Sequence, residues 1–224
     1  MLASELLLGK IISSPFDENT YVAHLAGRDD CIVFDPGFDP DAICDYLDKR
    51  GLTPAAILCT HGHSDHIAGN AALKERWPNV PLVIGAGDAS KLTDPQGNLS
   101  AAFGASLISP AADRTVDEPE RFEAAGLTLD VLAAPGHSRG HVVFLCRQAA
   151  PWHVFGGDVL FRGSIGRTDF PDGDFDSLRA SIHDKLFTLP DDTIILPGHG
   201  PATTVGREKR ANPFVGAPAG YVVP

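Results

Sequence analysis

The chain has 224 residues, 43% of them apolar, enough for one substantial core and near the upper end of what a single domain holds, so one domain over 1–224 is expected. Its 18 basic residues stand against 29 acidic ones, and the net charge of −11 repels nucleic acid and anionic membranes and favours a small-molecule partner. No run reaches the roughly 18 apolar residues of a membrane span, and MLASELLLGKIISS has no basic region before its short apolar run. The expectation is a cytoplasmic protein without a secretory leader.

Short runs rich in Leu, Ile and Val at 5–13, 20–25 and 31–34, separated by Pro15, Asn19, Gly27 and Asp29, predict an antiparallel meander. After DPGFDP, Ile43, Tyr46 and Leu47 fall at helical spacing, with acidic residues early and Lys49 and Arg50 late. This predicts a helix over 39–50 closed by Gly51. The continuous apolar segment 55–59 reads as a buried strand, followed directly by THGHSDHIAG and a helix through Trp77. Further strands are predicted at 81–84, 127–132, 141–146, 153–155 and 193–196, and a helix at 175–187. Strands and helices mixed in this way give an α/β architecture. In 91–123, Pro, Asp and Gly break every periodic signal, leaving loops and at most one short strand; NPFVGAPAGYVVP, about 212–224, reads as an extended tail. Cys31, Cys44, Cys59 and Cys146 show no CxxC pairing and lie in or beside apolar stretches, as buried thiols of a reducing compartment do.

His61, His63, Asp65 and His66 place four potential metal donors within six residues. Residues two apart in an extended turn point to one side, so His61 and His63 can grip one ion while Asp65 and His66 turn toward a neighbouring one. The alternative is a solvated polar loop with incidental histidines, which the apolar strand before it argues against. The remaining donors are expected at the carboxyl ends of other strands. His137 in APGHSRGH, Asp158 in FGGD and His199 in LPGHG meet that test, each flanked by Gly that permits a tight turn. Any one of them alone would read as a loop residue; three of the same build do not.

THGHSDH, PGHSRGH, GGDVLF and PGHGP, in this order and spacing, resemble the metallo-β-lactamase superfamily over almost the whole chain. FRGSIGRTDFPDGD and PGHGPATTVGREKRANPF are most similar to the hydroxyacylglutathione hydrolases (glyoxalase II) of a short bacterial type. The resemblance implies a four-layer αβ/βα sandwich with two divalent metal ions at one edge, zinc first, with iron or manganese as alternatives. It implies that His61, His63 and His137 hold one ion, that Asp65, His66 and His199 hold the other, and that Asp158 bridges them. Hydroxide generated there would attack a thioester such as S-lactoylglutathione, with Asp65 taking up a proton. Arg167, in GRTDF, matches a basic position at the glutathione peptide; it could equally tie its own loop to Asp169 or Asp172. Asp169 stands where the longer enzymes carry an aromatic residue and the chain stops before their C-terminal helical domain, so part of any glutathione site is expected to be built differently. Asp35, in FDPG, is either a carboxylate behind a donor histidine or a turn former before Pro36. His141 is expected to pack or hydrogen-bond behind the site, and His24, His153 and His183 to be structural or exposed. GRTDF and HDKLFTLP also resemble the persulfide dioxygenases, which use a single iron; the PGHGPATTVGREK ending favours the hydrolases. A metal-binding protein without catalysis is a third reading, and oligomeric state is not readable.

Overall fold

The computed structural model describes residues 5–223; the first four residues of the stretch read as lacking a leader lie outside it. Two six-stranded sheets carry the chain. In the first, β1 (Leu6–Ser13), β2 (Glu18–Leu25) and β3 (Asp30–Phe34) form the predicted antiparallel meander. Helix α1 (Pro40–Arg50), capped by Gly51 at a left-handed φ of 63°, leads to β4 (Thr53–Cys59), parallel to β3. Two short helices, α2 (Ser64–Ile67) and α3 (Asn70–Arg76), follow where the sequence suggested one, because the chain turns at Gly69. Next, β5 (Leu82–Gly85) and β6 (Arg114–Val116) complete the sheet in parallel.

The second sheet starts with β7 (Arg121–Ala124), β8 (Leu127–Ala133), β9 (Val142–Cys146) and β10 (His153–Gly157). A small hairpin, β11 (Leu160–Phe161) and β12 (Ser164–Ile165), precedes helix α4 (Phe175–Ser181). The sheet then ends in β13 (Ile194–Pro197), parallel to β10, and β14 (Thr203–Thr204), followed by α5 (Val205–Ala211).

Alternation along the strands explains the layering. Ala56 and Leu58 of β4 face the second sheet, meeting Phe144, Phe155 and Leu196, while Ile57 and Cys59 face Ile43, Leu47 and Leu73 of the helices. On the far side, Val143, Leu145 and Val154 pack on Leu178 and Ile182. A strand covered on both faces must be apolar at successive positions, which is why β4 reads as an unbroken run. The result is the four-layer αβ/βα sandwich. Between the sheets, Phe34 and Phe155 stack with ring centroids 3.7 Å apart.

Three expectations need correction. The weak stretch holds two strands, β6 and β7, and two 3₁₀ turns, Ala86–Thr93 and Ser100–Phe103; the strands are too short to show a period. The terminal segment is not an extended tail. Val215 is buried, its carbonyl accepts from His183 Nε2 at 2.7 Å, and the Tyr221 ring packs 4.8 Å from those of His183 and Phe187. Two apolar anchors suffice to seat it, and they carry no periodic signature. All four cysteines are free, but Cys44 is only half-buried; burial pushes the Cys31 thiol up to about 12. Among the described residues, no helix is long and apolar enough to cross a membrane.

Candidate metal centre

Parallel pairing brings strand ends into register at one edge of the sandwich. Phe34 of β3 pairs with Leu58 of β4, so Asp35 emerges beside Thr60 and His61. Phe155 of β10 pairs with Leu196 of β13, so the Asp158 and His199 loops lie side by side. His137 follows β8, and all seven residues singled out in the sequence meet there.

They form three overlapping groups whose donor atoms lie within 4.8 Å of one another and could hold metal: His61, His63 and His137; His61, His66 and Asp158; Asp65, His66 and His199. His63 Nδ1 lies 3.1 Å from His61 Nε2 and 2.9 Å from His137 Nε2. The Asp158 carboxylate sits between the outer groups. Its Oδ1 is 3.4 Å from His66 Nε2, and its Oδ2 is 3.5 Å from His137 Nε2 and 3.6 Å from His199 Nε2.

The surroundings fix which nitrogen faces inward. His137 Nδ1 lies 2.8 Å from the Arg167 carbonyl, His199 Nδ1 3.0 Å from the Phe16 carbonyl and His66 Nδ1 3.2 Å from Asp35 Oδ2. Each Nδ1 therefore carries the proton it donates, and each Nε2 points into the centre, where a bound cation would take its lone pair. His66 Nε2 and Asp158 Oδ1 are buried and lack a hydrogen-bond partner. Orphaned donors of this kind are costly in a protein interior, and a divalent cation is the partner both would accept. The residues fit a metal.

Burial, reinforced by neighbouring histidines, holds His61 and His63 well below the usual histidine range, and burial also lowers His137. These rings are neutral, as ligation requires. At His66 burial pulls the same way but is outweighed by Asp158, Asp65 and Asp35, so its pKa is raised. At Asp158 burial is outweighed by His66, then His137 and His199, and the carboxyl stays ionised. Asp65 is likewise lowered, against burial, by His66 and by a hydrogen bond with His199.

Asp35 fills both roles the sequence left open. It sits at a turn with φ 47°, and its carboxylate accepts from Thr60 N at 2.7 Å, from Thr60 Oγ1 at 2.8 Å and from His66 Nδ1. His141 lies behind the donors, its ring stacked on His61 and its Nε2 accepting from Asp158 N at 3.1 Å. Arg167 lines the cleft over the donors and at the same time pairs with Asp169 at 2.8 Å.

Two buried carboxylates beside the centre escaped the sequence reading. Asp88 accepts from Gly62 N at 2.9 Å, Gly140 N at 2.8 Å and Ser138 Oγ, tying the His61–His63 loop to the His137 loop. It follows β5 in GAGD, the same glycine-marked strand end that exposed the other donors. Glu18 lies 4.0 Å behind His66 Nδ1, and burial raises its pKa; nothing in its local sequence marks it.

Comparison with known proteins places the chain among relatives of one superfamily. Probable metallo-hydrolase YqgX of Bacillus subtilis is 39% identical over 202 residues, 90% of this chain and 93% of the relative. Hydroxyacylglutathione hydrolase GloC of Haemophilus influenzae is 37% identical over 186 residues, 82% of this chain and 86% of the relative. Among solved structures, BLEG-1 B3 metallo-beta-lactamase superposes with a TM-score of 0.88 at 36% identity, covering 93% of this chain and 99% of its own. TTHA1623, in a di-iron-bound form, gives 0.81 at 36% identity, covering 92% and 99%. ETHE1 from Myxococcus xanthus gives 0.77 at 29% identity, covering 94% and 85%. With residues 14–199 matching the Metallo-beta-lactamase superfamily, the chain belongs to that superfamily of metal-dependent hydrolases.

Proposed function

We propose that this chain is a binuclear hydrolase of thioesters of the acylglutathione type, S-lactoylglutathione being the reference substrate. The observation that carries the reading is Asp158, whose two carboxylate oxygens face donor histidines of two different groups. A closed structural site has no use for a shared carboxylate and an open cleft above it. The name of the GloC relative supports the thioester class.

His61, His63 and His137 would hold one ion, Asp65, His66 and His199 the other, with Asp158 between them. Zinc suits the donor set, as do iron and manganese. Divalent ions held there supply a water of lowered pKa and polarise a carbonyl. In the hydrolysis one water is consumed, the C–S bond breaks, and a carboxylic acid and a thiol are released. Asp65 borders the cleft, 3.3 Å from His199 Nε2, and is placed to accept the proton lost from the attacking water. Asp35 keeps His66 Nε2 turned inward throughout, and Arg167 stands at the rim of the cleft, paired with Asp169.

The second reading is a mononuclear iron persulfide dioxygenase, favoured by the GRTDF motif and the likeness to ETHE1. The Asp65, His66 and His199 group speaks against it, since a single ion leaves those donors idle. Metal analysis of protein purified without added metal, run beside thioester, lactone and persulfide substrates, tests the choice. Two ions per chain with thioester cleavage are expected; one iron per chain with persulfide-dependent oxygen uptake would sink the hydrolase reading.

A further inference from the structure

Apart from the metal donors and Ser64, the walls of the cleft are Phe16, Leu99, Phe103, Phe161, Phe170 and Arg167. Phe170 sets its ring against His63 and His137, with centroids 5.2 and 5.6 Å apart, and Phe161 lies 6.1 Å from His199. Phe16, on the β1–β2 turn, packs between Phe38 and Phe103, at 5.8 and 5.5 Å. Phe103 is 65% exposed, so this aromatic row faces the open side of the cleft without a partner of its own. Leu99 lines the same wall from a left-handed conformation, φ 67°, that a branched side chain rarely adopts. Strain of this sort persists where a side chain is used, and exposed apolar rows beside a polar floor mark binding surfaces.

Charge points the same way. Among the described residues, Arg167 is the one Lys or Arg on these walls, and Asp169 holds its guanidinium from two nitrogens at 2.9 and 2.8 Å while it stacks over Phe170 at 4.4 Å. A pair of zero net charge, on a chain of net charge −11, offers little to a thiol bearing two carboxylates.

Resting on the thioesterase reading above, we propose that the site selects its substrate through an apolar acyl group. A medium-length alkyl or aryl chain lies along Phe16, Phe103 and Phe170, and the charges of the thiol half contribute little to recognition. The test uses the metal-loaded enzyme with two matched series, S-acetyl, S-butyryl, S-hexanoyl and S-phenylacetyl thioesters of glutathione and of neutral N-acetylcysteamine. Within each series kcat/KM is expected to rise about two- to fourfold per added methylene, as apolar burial dictates. The two thiols are expected to agree within tenfold at equal acyl group. Phe103→Ala and Phe16→Ala, checked for native circular dichroism, are expected to bring the hexanoyl-to-acetyl ratio toward one. A ratio insensitive to chain length or to both substitutions, or a glutathione preference beyond tenfold, overturns the proposal and leaves the thioesterase reading standing. Cleavage of no thioester in either series overturns both.

Discussion

At Asp88 a single carboxylate takes hydrogen bonds from both loops that present His61, His63 and His137, so its geometry is passed on to three donors it does not touch. Lys91 Nζ lies 3.2 Å from the same carboxylate and bonds Asp172, which in turn accepts from Arg139 N. Asp88→Asn keeps the volume but turns an amide NH₂ toward at least one of those donors. Metal affinity is expected to fall about 10- to 100-fold, the range for outer partners of metal ligands, with the circular dichroism unchanged. Competition against a chelator of known affinity measures it. At this scale the sequence was informative where chemistry clusters locally. His61, His63, Asp65 and His66 announce themselves by spacing, whereas Glu18 faces His66 from another element with nothing local to mark it, and Asp88 carries a glycine-marked strand end but no clustered donor beside it.

Among elements, the positions of the longer strands followed from apolar runs bounded by turn residues, because β2, β3, β4, β9 and β10 are long enough to stand out, whereas the order of strands in the two sheets beyond the first meander came only from the structure. The misses share one physical reason. Strands β6, β7, β11, β12 and β14 have between two and four residues, and α5 has seven, so neighbours in space rather than local periodicity hold them in place. The start of β5 shows how such anchoring works. Asp113, on the approach to β6, accepts from Leu82 N at 2.8 Å and from Lys74 Nζ at 2.7 Å, joining β5 to α3. The Leu82 N–H, then Lys74, holds its carboxyl below the usual carboxylate range. A carboxylate lowered on folding contributes stability that is present above its unfolded pKa, near 3.9, and is lost as pH falls through the folded value. Asp113 is well exposed, so solvent screening limits the effect to at most about 1 kcal/mol. Asp113→Asn is expected to lower Tm by about 1–3 °C at pH 7, with the difference shrinking as pH falls below the unfolded value near 3.9 and through the lower folded one, as differential scanning calorimetry across that range will register.

Over the whole molecule, the donor set draws on both sheets: His61, His63, Asp65 and His66 follow β4 of the first, and His137, Asp158 and His199 follow strands of the second. An ion bound by both halves binds the folded state alone, and at a thousand times its Kd it adds about 4 kcal/mol. Stripping the metal with a chelator is therefore expected to lower Tm by roughly 10 °C, reversibly on re-addition of the metal. A shift of under about 2 °C would mean that the donors do not share ions across the sheets. The seam between the halves is also sewn without metal. Asn19 Nδ2 donates to the carbonyls of Pro197 and Gly200, the Tyr21 hydroxyl donates to Pro197, and Asn19 N donates to Gly198. The loop that presents His199 is thus seated by residues of β2, made some 180 positions earlier on the ribosome. His61 to His66 are therefore synthesised long before the last donor of the same centre. Full metal capture thereby requires that synthesis has passed His199, and a chain terminated before that position is left with an incomplete centre.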